Sequence, residues 1–230
     1  MAVGVSEKRK DAFDKVTGRA KFTDDLAEKN LLVAKVFRST IANGVVKSLD
    51  ISEAEKIPGV VKIVTCFDVP QYKFPTAGHP WSTDPSHQDV ADRLLLTSRV
   101  RYYGDDVAAV IAEDEVAANQ ALRAIKAEYE EYPFVLDQIE AMKDGAPVVQ
   151  EAYKNNILNH TTLKKGNYEE AIKEEGLIKF EGWYDTPTVQ HCHMENHICY
   201  AYEEGGRIVV VSSTQIPHIV RRVVGQALGI

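Results

Sequence analysis

The chain has 230 residues, 44% of them hydrophobic and 27% charged, so it is long enough for one large or two small domains with real cores, and wholesale disorder is excluded. Its net charge of −7 and pI near 5.5 argue against a nucleic-acid surface, which needs a basic patch to displace counterions. No apolar run reaches the ~20 residues that span a bilayer, and the start, Met1 to Lys8, lacks the apolar core of a secretory signal. The three cysteines, Cys66, Cys192 and Cys199, are odd in number and show no CxxC spacing, which fits a reducing cytoplasm.

Residues 1–17 are polar without periodicity and read as an extended arm; the basic run Lys8-Arg9-Lys10 reads as solvated. Leu31 to Phe37 reads as a strand, being apolar and β-branched between Asn30 and Ser39. Ser52-Glu53-Ala54-Glu55 has the spacing of a capping box and predicts a short helix stopped by Pro58-Gly59. Val60 to Thr65 is a second strand. The Pro- and Asp-rich stretch from Pro70 to about Leu94 reads as a long loop, with His79 and His87 exposed in it and no partner at ligand spacing. Val107 to Ala112 is a continuous apolar run, a buried strand.

A helix is predicted from about Glu113 to Glu131, because Ala118, Ala121, Leu122, Ile125 and Tyr129 recur on one stripe. Pro133 ends it, and the α+β domain closes near residue 150. Residues 151–166 read as a linker, and Gly166 to Ala171 as a short helix start. Ile178 to Pro187, about His191 to Tyr202, and Arg207 to Ser213 read as three strands. Glu203-Glu204-Gly205-Gly206 is a hairpin turn, since glycine tolerates positive φ. Pro217 suits the first turn of a final helix, with Ile219, Val220, Val223, Val224, Ala227 and Leu228 as its apolar stripe and Gly229 as its cap.

Four of the seven histidines and two of the three cysteines fall in the last forty residues. On a strand, His191, His193, Glu195, His197 and Cys199 would share one face. Successive members would stand about 7 Å apart, so two of them could bridge one zinc ion but the whole row could not. The spacing matches no familiar structural zinc motif, and a row that faces a protein interface or hydrogen-bonds to neighbouring strands explains it more simply. Cys192, on the other face with Met194 and Ile198, reads as a small core residue. Gln215 lies where a strand gives way to a helix, a common position at the rim of a ligand site, but a lone glutamine there reads first as a helix-capping or loop residue.

The order of several motifs carries a resemblance. Lys15-Val16-Thr17-Gly18-Arg19-Ala20 and Phe22-Thr23-Asp24-Asp25-Leu26 are similar to the opening of molybdenum hydroxylase large subunits. So are Ser52-Glu53-Ala54 with Ile57-Pro58-Gly59-Val60, and Gly104-Asp105-Asp106-Val107-Ala108-Ala109-Val110 followed by Ala117-Ala118 and Tyr129-Glu130. His191-Cys192-His193-Met194-Glu195 and Ser213-Thr214-Gln215 are similar to the first part of the molybdopterin-binding domain of that family. The chain therefore resembles the xanthine dehydrogenase / aldehyde oxidase family, in the N-terminal portion of the molybdenum-binding subunit, and its wording is closest to bacterial members.

The resemblance implies an α+β fold. A hammerhead-type domain over residues 18–150 would be followed by the start of a molybdopterin-binding α+β domain over 167–230. It implies hydroxylation of xanthine or a related purine with oxygen from water, using a molybdenum–molybdopterin cofactor in the complete subunit. Electrons would leave through Fe–S clusters and FAD on partner subunits toward NAD; the demanding chemistry is the cofactor's, and the protein positions it. The glutamine of the Ser-Thr-Gln motif lies by a molybdenum oxo ligand in the family, a role that carries over to Gln215. The metal is held there by a pterin dithiolene, so no protein ligand to a metal is expected, and no catalytic residue is expected within these 230 positions. The family's Gly-Gly-Gly-Phe-Gly segment and its catalytic glutamate belong downstream, and Glu195 is expected to be structural. Asn196 stands where the wider family commonly has Pro. Two alternatives remain open on the residues alone: a small zinc-binding module, and a non-catalytic domain that docks partner subunits.

Overall fold

A computed structural model describes residues 3–75 and 90–230. The chain divides into two compact units, one formed by Met1–Pro133 with Glu195–Ile230 and the other by Phe134–Met194. His79 and His87 lie outside the described residues.

The first unit opens with a five-residue helix, α1 (Ala12–Val16), where an extended arm was expected. The Asp11 carboxylate holds it: it pairs with Lys15 one turn on and with Arg9 behind, at 2.9 and 2.8 Å. Those two partners hold the Asp11 carboxyl far below the usual carboxylate range, Lys15 contributing most. A 3₁₀ turn follows at Asp24–Leu26.

Two three-stranded antiparallel sheets make the body of this unit. One has the order β1 (Val33–Arg38), β5 (Asp106–Ala112), β3 (Val60–Thr65), and the other β4 (Arg99–Val100), β2 (Gly44–Asp50), β6 (Lys126–Glu131). Helix α2 (Glu115–Ala124) covers the first sheet. The strand β5 is central because it is apolar on both faces. Val110 and Ala112 pack with Ile63, Ala117, Ala118 and Ala121 in one core. Val107, three residues back on the opposite face, packs with Ile41, Val46, Leu96 and Val100 in the other. The Asp114 side chain caps α2 by accepting from the Ala117 N–H at 2.8 Å.

Two sequence expectations fail here, each for a tertiary reason. The helix expected to run to Glu131 stops at Ala124, and Ile125 turns to extended backbone. The remaining residues, Lys126 to Glu131, alternate and pair along β2 in the register Val46↔Tyr129 and Leu49↔Ala127. A free sheet edge decides between helix and strand where local preference is weak. The box at Ser52 forms no helix, only turns. Its Oγ donates to Asp50 Oδ1 at 2.6 Å, and its N–H donates to the same oxygen at 3.1 Å. Asp50 thus takes the capping role assigned to Ser52, as an Asx turn does.

The second unit holds two four-residue helices, α3 (Gln138–Ala141) and α4 (Tyr168–Ala171). Asn156 gathers one end of it: its Nδ2 donates to the Ala141 and Pro147 carbonyls at 2.9 and 3.0 Å, and its Oδ1 accepts from Val149 N–H at 2.8 Å. The strand expected at Ile178 to Pro187 does not form, and the one expected from about His191 to Tyr202 begins only at Cys199. Ile178 and Trp183 are almost fully exposed, and no neighbouring edge pairs with this stretch among the described residues. Extended backbone becomes a strand only with a partner.

The chain then returns to the first unit as a hairpin, β7 (Cys199–Glu204) and β8 (Arg207–Ser212), and ends in α5 (Pro217–Leu228). No helix among the described residues is long and apolar enough to cross a membrane.

Candidate cofactor-site edge

The hairpin forms where the sequence placed it. Gly205 and Gly206 both have positive φ, 56° and 74°, which sets a two-residue turn matching the twist of the strands. Register runs from Glu204↔Arg207 to Cys199↔Ser212. Pro217 begins α5 at the position where its missing N–H costs nothing, and Gly229 closes the helix in the left-handed region at φ 73°.

Between β8 and α5 lies the segment Ser213-Thr214-Gln215-Ile216. Its shape is set by two hydroxyls. Thr214 Oγ1 accepts from the Ile216 N–H at 3.0 Å, a local turn that launches the helix. Ser213 bonds back across the hairpin: its N–H donates to the Ile198 carbonyl at 3.2 Å, and its Oγ accepts from the Ile198 N–H at 3.2 Å. The same hydroxyl lies 3.3 Å from the Asn196 carbonyl, to which it can donate. The two motifs singled out in the sequence, 191–197 and 213–215, therefore meet through Ser213.

Gln215 sits exposed at this junction, and its amide makes no hydrogen bond among the described residues. An amide held on a short, bonded loop with its donors free fits the edge of a site for an anionic or oxo-bearing group. An open groove of about 780 Å³ lies between β8 and α5, lined by Ile208, Val210, Thr214, Pro217 and Arg222 among others but not by Gln215. Nε and Nη2 of Arg222 are buried there without a partner among the described residues.

The row of histidines is not a strand face. Residues 191–198 lie outside any strand, and Cys192 has φ 51°, which breaks the alternation. His191 and His193 instead stack, with ring centroids 5.3 Å apart and planes 4° from parallel. Cys192 is exposed rather than in a core. Among the described residues, no three of the His, Cys, Asp and Glu side chains gather to hold a metal ion. The Glu195 Oε1 accepts from the backbone N–H of Thr23 at 3.3 Å, across 172 residues. Tyr200 reaches the same turn, donating to the Leu26 carbonyl at 2.9 Å.

Sequence reasoning quoted Ser213 within its motif but gave it no role, and it missed Tyr200 and Arg222. Ser213 had a signal, a hydroxyl beside Thr214 at a strand end. Tyr200 and Arg222 had none, since their surroundings depend on distant segments.

Residues 17–133 match the family model for the "a/b hammerhead domain" of "Aldehyde oxidase and xanthine dehydrogenase", and residues 149–230 match that of the "Molybdopterin cofactor-binding domain". The chain belongs to the aldehyde oxidase and xanthine dehydrogenase family.

Its relatives fill in the picture. It is 45% identical over 223 residues to the xanthine dehydrogenase molybdenum-binding subunit of Escherichia coli O157:H7, which covers 96% of this chain and 29% of that protein. It is 30% identical over 218 residues to the nicotinate dehydrogenase large molybdopterin subunit of Eubacterium barkeri, covering 94% of this chain and 48% of that protein. The fold superimposes on the aldehyde oxidoreductase of Desulfovibrio desulfuricans with a TM-score of 0.84 at 28% identity, over 99% of this chain and 25% of that one. The architecture is thus a hammerhead domain followed by the first part of a molybdopterin-binding domain, and the chain spans less than a third of the first of these relatives.

Proposed function

We propose that this chain is the N-terminal part of a molybdenum hydroxylase subunit that acts, in the complete enzyme, on xanthine or a related purine. The cofactor, molybdenum–molybdopterin, supplies the redox centre and the oxygen-transfer chemistry when bound. This chain contributes one wall of its site. Partner subunits carrying Fe–S clusters and FAD take the electrons on toward NAD, and the assembly works in the cytoplasm. The 230 residues alone turn over no purine.

The single observation that carries the reading is Gln215. The loop geometry set by Ser213 and Thr214 leaves its amide N–H groups without an internal partner among the described residues. The 45% identity to a xanthine dehydrogenase molybdenum-binding subunit supports the purine. An amide that donates to an oxygen whose charge rises during reduction stabilises that state more than the starting one.

The test is Gln215→Ala in the complete enzyme, with molybdenum content and turnover of xanthine measured together. The expected result is kcat lowered about 10²-fold with the metal retained. Unchanged kcat at full metal content removes Gln215 from the site.

A further inference from the structure

Glu195 is bonded to the backbone of Thr23, a partner 172 residues away in sequence. Thr23 is buried, so its N–H needs an acceptor inside the protein. Glu195 Oε1 is that acceptor. The turn that carries Thr23 is closed on itself: Phe22 N–H donates to Asp25 Oδ2 at 3.0 Å, Asp25 N–H to the Phe22 carbonyl at 3.0 Å, and Leu26 N–H to the Thr23 carbonyl at 3.2 Å. It is a small, self-braced platform. Tyr200, at the start of β7, adds a second bond to it through the Leu26 carbonyl.

From Glu195 the path continues without a gap. Asn196 is the next residue, and its carbonyl faces the Ser213 hydroxyl. Ile198 exchanges bonds with Ser213 through both N–H and carbonyl. Ser213 is two residues from Gln215. The bonds that Ser213 makes back across the hairpin therefore all fall on the stretch 196–198, and the segment 195–200 around it is pinned to the platform at 22–26 by one carboxylate and one phenol.

We infer that Glu195 is a positioning residue: by holding the Thr23 N–H, it fixes the Gln215 loop, so that the N-terminal turn 22–26 belongs to the frame of the cofactor site. This rests on the reading of Gln215 above. Two substitutions tell this role from an acid–base one. A glutamine keeps the accepting oxygen and loses only the charge; an alanine loses both.

The experiment compares Glu195→Ala and Glu195→Gln in the complete enzyme by hydrogen–deuterium exchange and by steady-state kinetics. For the alanine variant, deuterium uptake rises in peptides covering 20–27 and 212–217. Its kcat for xanthine falls about ten- to a hundredfold, since small displacements at a site cost this much. The glutamine variant stays close to the parent in both readouts. Uptake at 212–217 unchanged in the alanine variant overturns the inference, as does a glutamine variant as impaired as the alanine one, which would point to proton transfer at Glu195. Should Glu195→Ala not fold, Glu195→Asp draws the carboxylate back by one methylene from the Thr23 N–H and must raise uptake at 20–27 and 212–217; no rise at 212–217 overturns the inference equally. Gln215→Ala run in parallel keeps the two readings apart: if it turns over normally the role of Gln215 falls, while the exchange data still decide the link from Glu195 to its loop.

Discussion

Gly44 and Ile41 stand so close at the start of β2 that a Cβ on Gly44 would lie 2.7 Å from Ile41 Cδ1, with the Glu130 carbonyl crowding it from β6. The backbone there has φ 156°, a region that side chains rarely adopt. Gly44→Ala therefore forces β2 and β6 apart where they pair through Val45↔Glu130. The expected cost is about 1–3 kcal/mol, the usual range for overpacking, read as a lower midpoint in urea unfolding. An unchanged midpoint would mean that the strands separate at no cost.

Asp105 gives a pH dependence whose sign runs against the common one. Its side chain is only 8% exposed, near Arg93 at 3.5 Å, and accepts from Arg101 N–H at 3.0 Å. Burial nevertheless dominates and raises its carboxyl above 3.8. The folded state then holds the proton more tightly than the unfolded one, so this group's contribution to stability falls as pH rises through the window above 3.8. Asp105→Asn removes that slope. Thermal midpoints of parent and variant, compared from about pH 3 to about pH 7, should show the parent losing ground as pH rises. A constant difference, or a parent that gains, refutes the assignment.

The three thiols should separate by reactivity. Cys66 lies in the core with Val100 and Val107, and burial pushes its thiol up to about 11. Cys192 and Cys199 are exposed. Brief alkylation of the folded chain near neutral pH should modify Cys192 and Cys199 and spare Cys66, while denatured chain takes label at all three. Early modification of Cys66, located by peptide mass mapping, would mean that this core opens readily.

What was legible in the sequence is what nearest neighbours decide. Gly205-Gly206, Pro217 and Gly229 act through their own backbone preferences, and each does in the structure what its chemistry dictates. Val60 to Thr65 forms the expected strand because its β-branched run is bounded by Gly59 on one side. The strand β6 was illegible because Tyr129 continues the helical stripe of Ala118, Ala121 and Ile125, and only the edge of β2 breaks the tie. The histidine row misled for a related reason: alternation along 191–199 implies a strand face only if a neighbouring strand is present to make one. The bond from Thr23 to Glu195 could not be seen at all, since no periodicity links positions 172 apart. Family resemblance reached the molybdopterin-binding domain when local physics did not, because it reads the whole order of motifs at once.

The return of residues 195–230 to the first unit has a consequence for the order of assembly. Everything that β1 to β6 need for pairing lies before Pro133, so the two hammerhead sheets can close early, on contacts between Val33 and Glu131. The Thr23 N–H must then wait for an acceptor made some 172 residues later. Closing so long a loop costs only slightly more free energy than closing one half its length, about 0.6 kcal/mol, but it delays the event. Since the turn at 22–26 is braced by its own hydrogen bonds, it needs nothing from 134–194 to take shape, and the hairpin that leads to Gln215 is the later arrival.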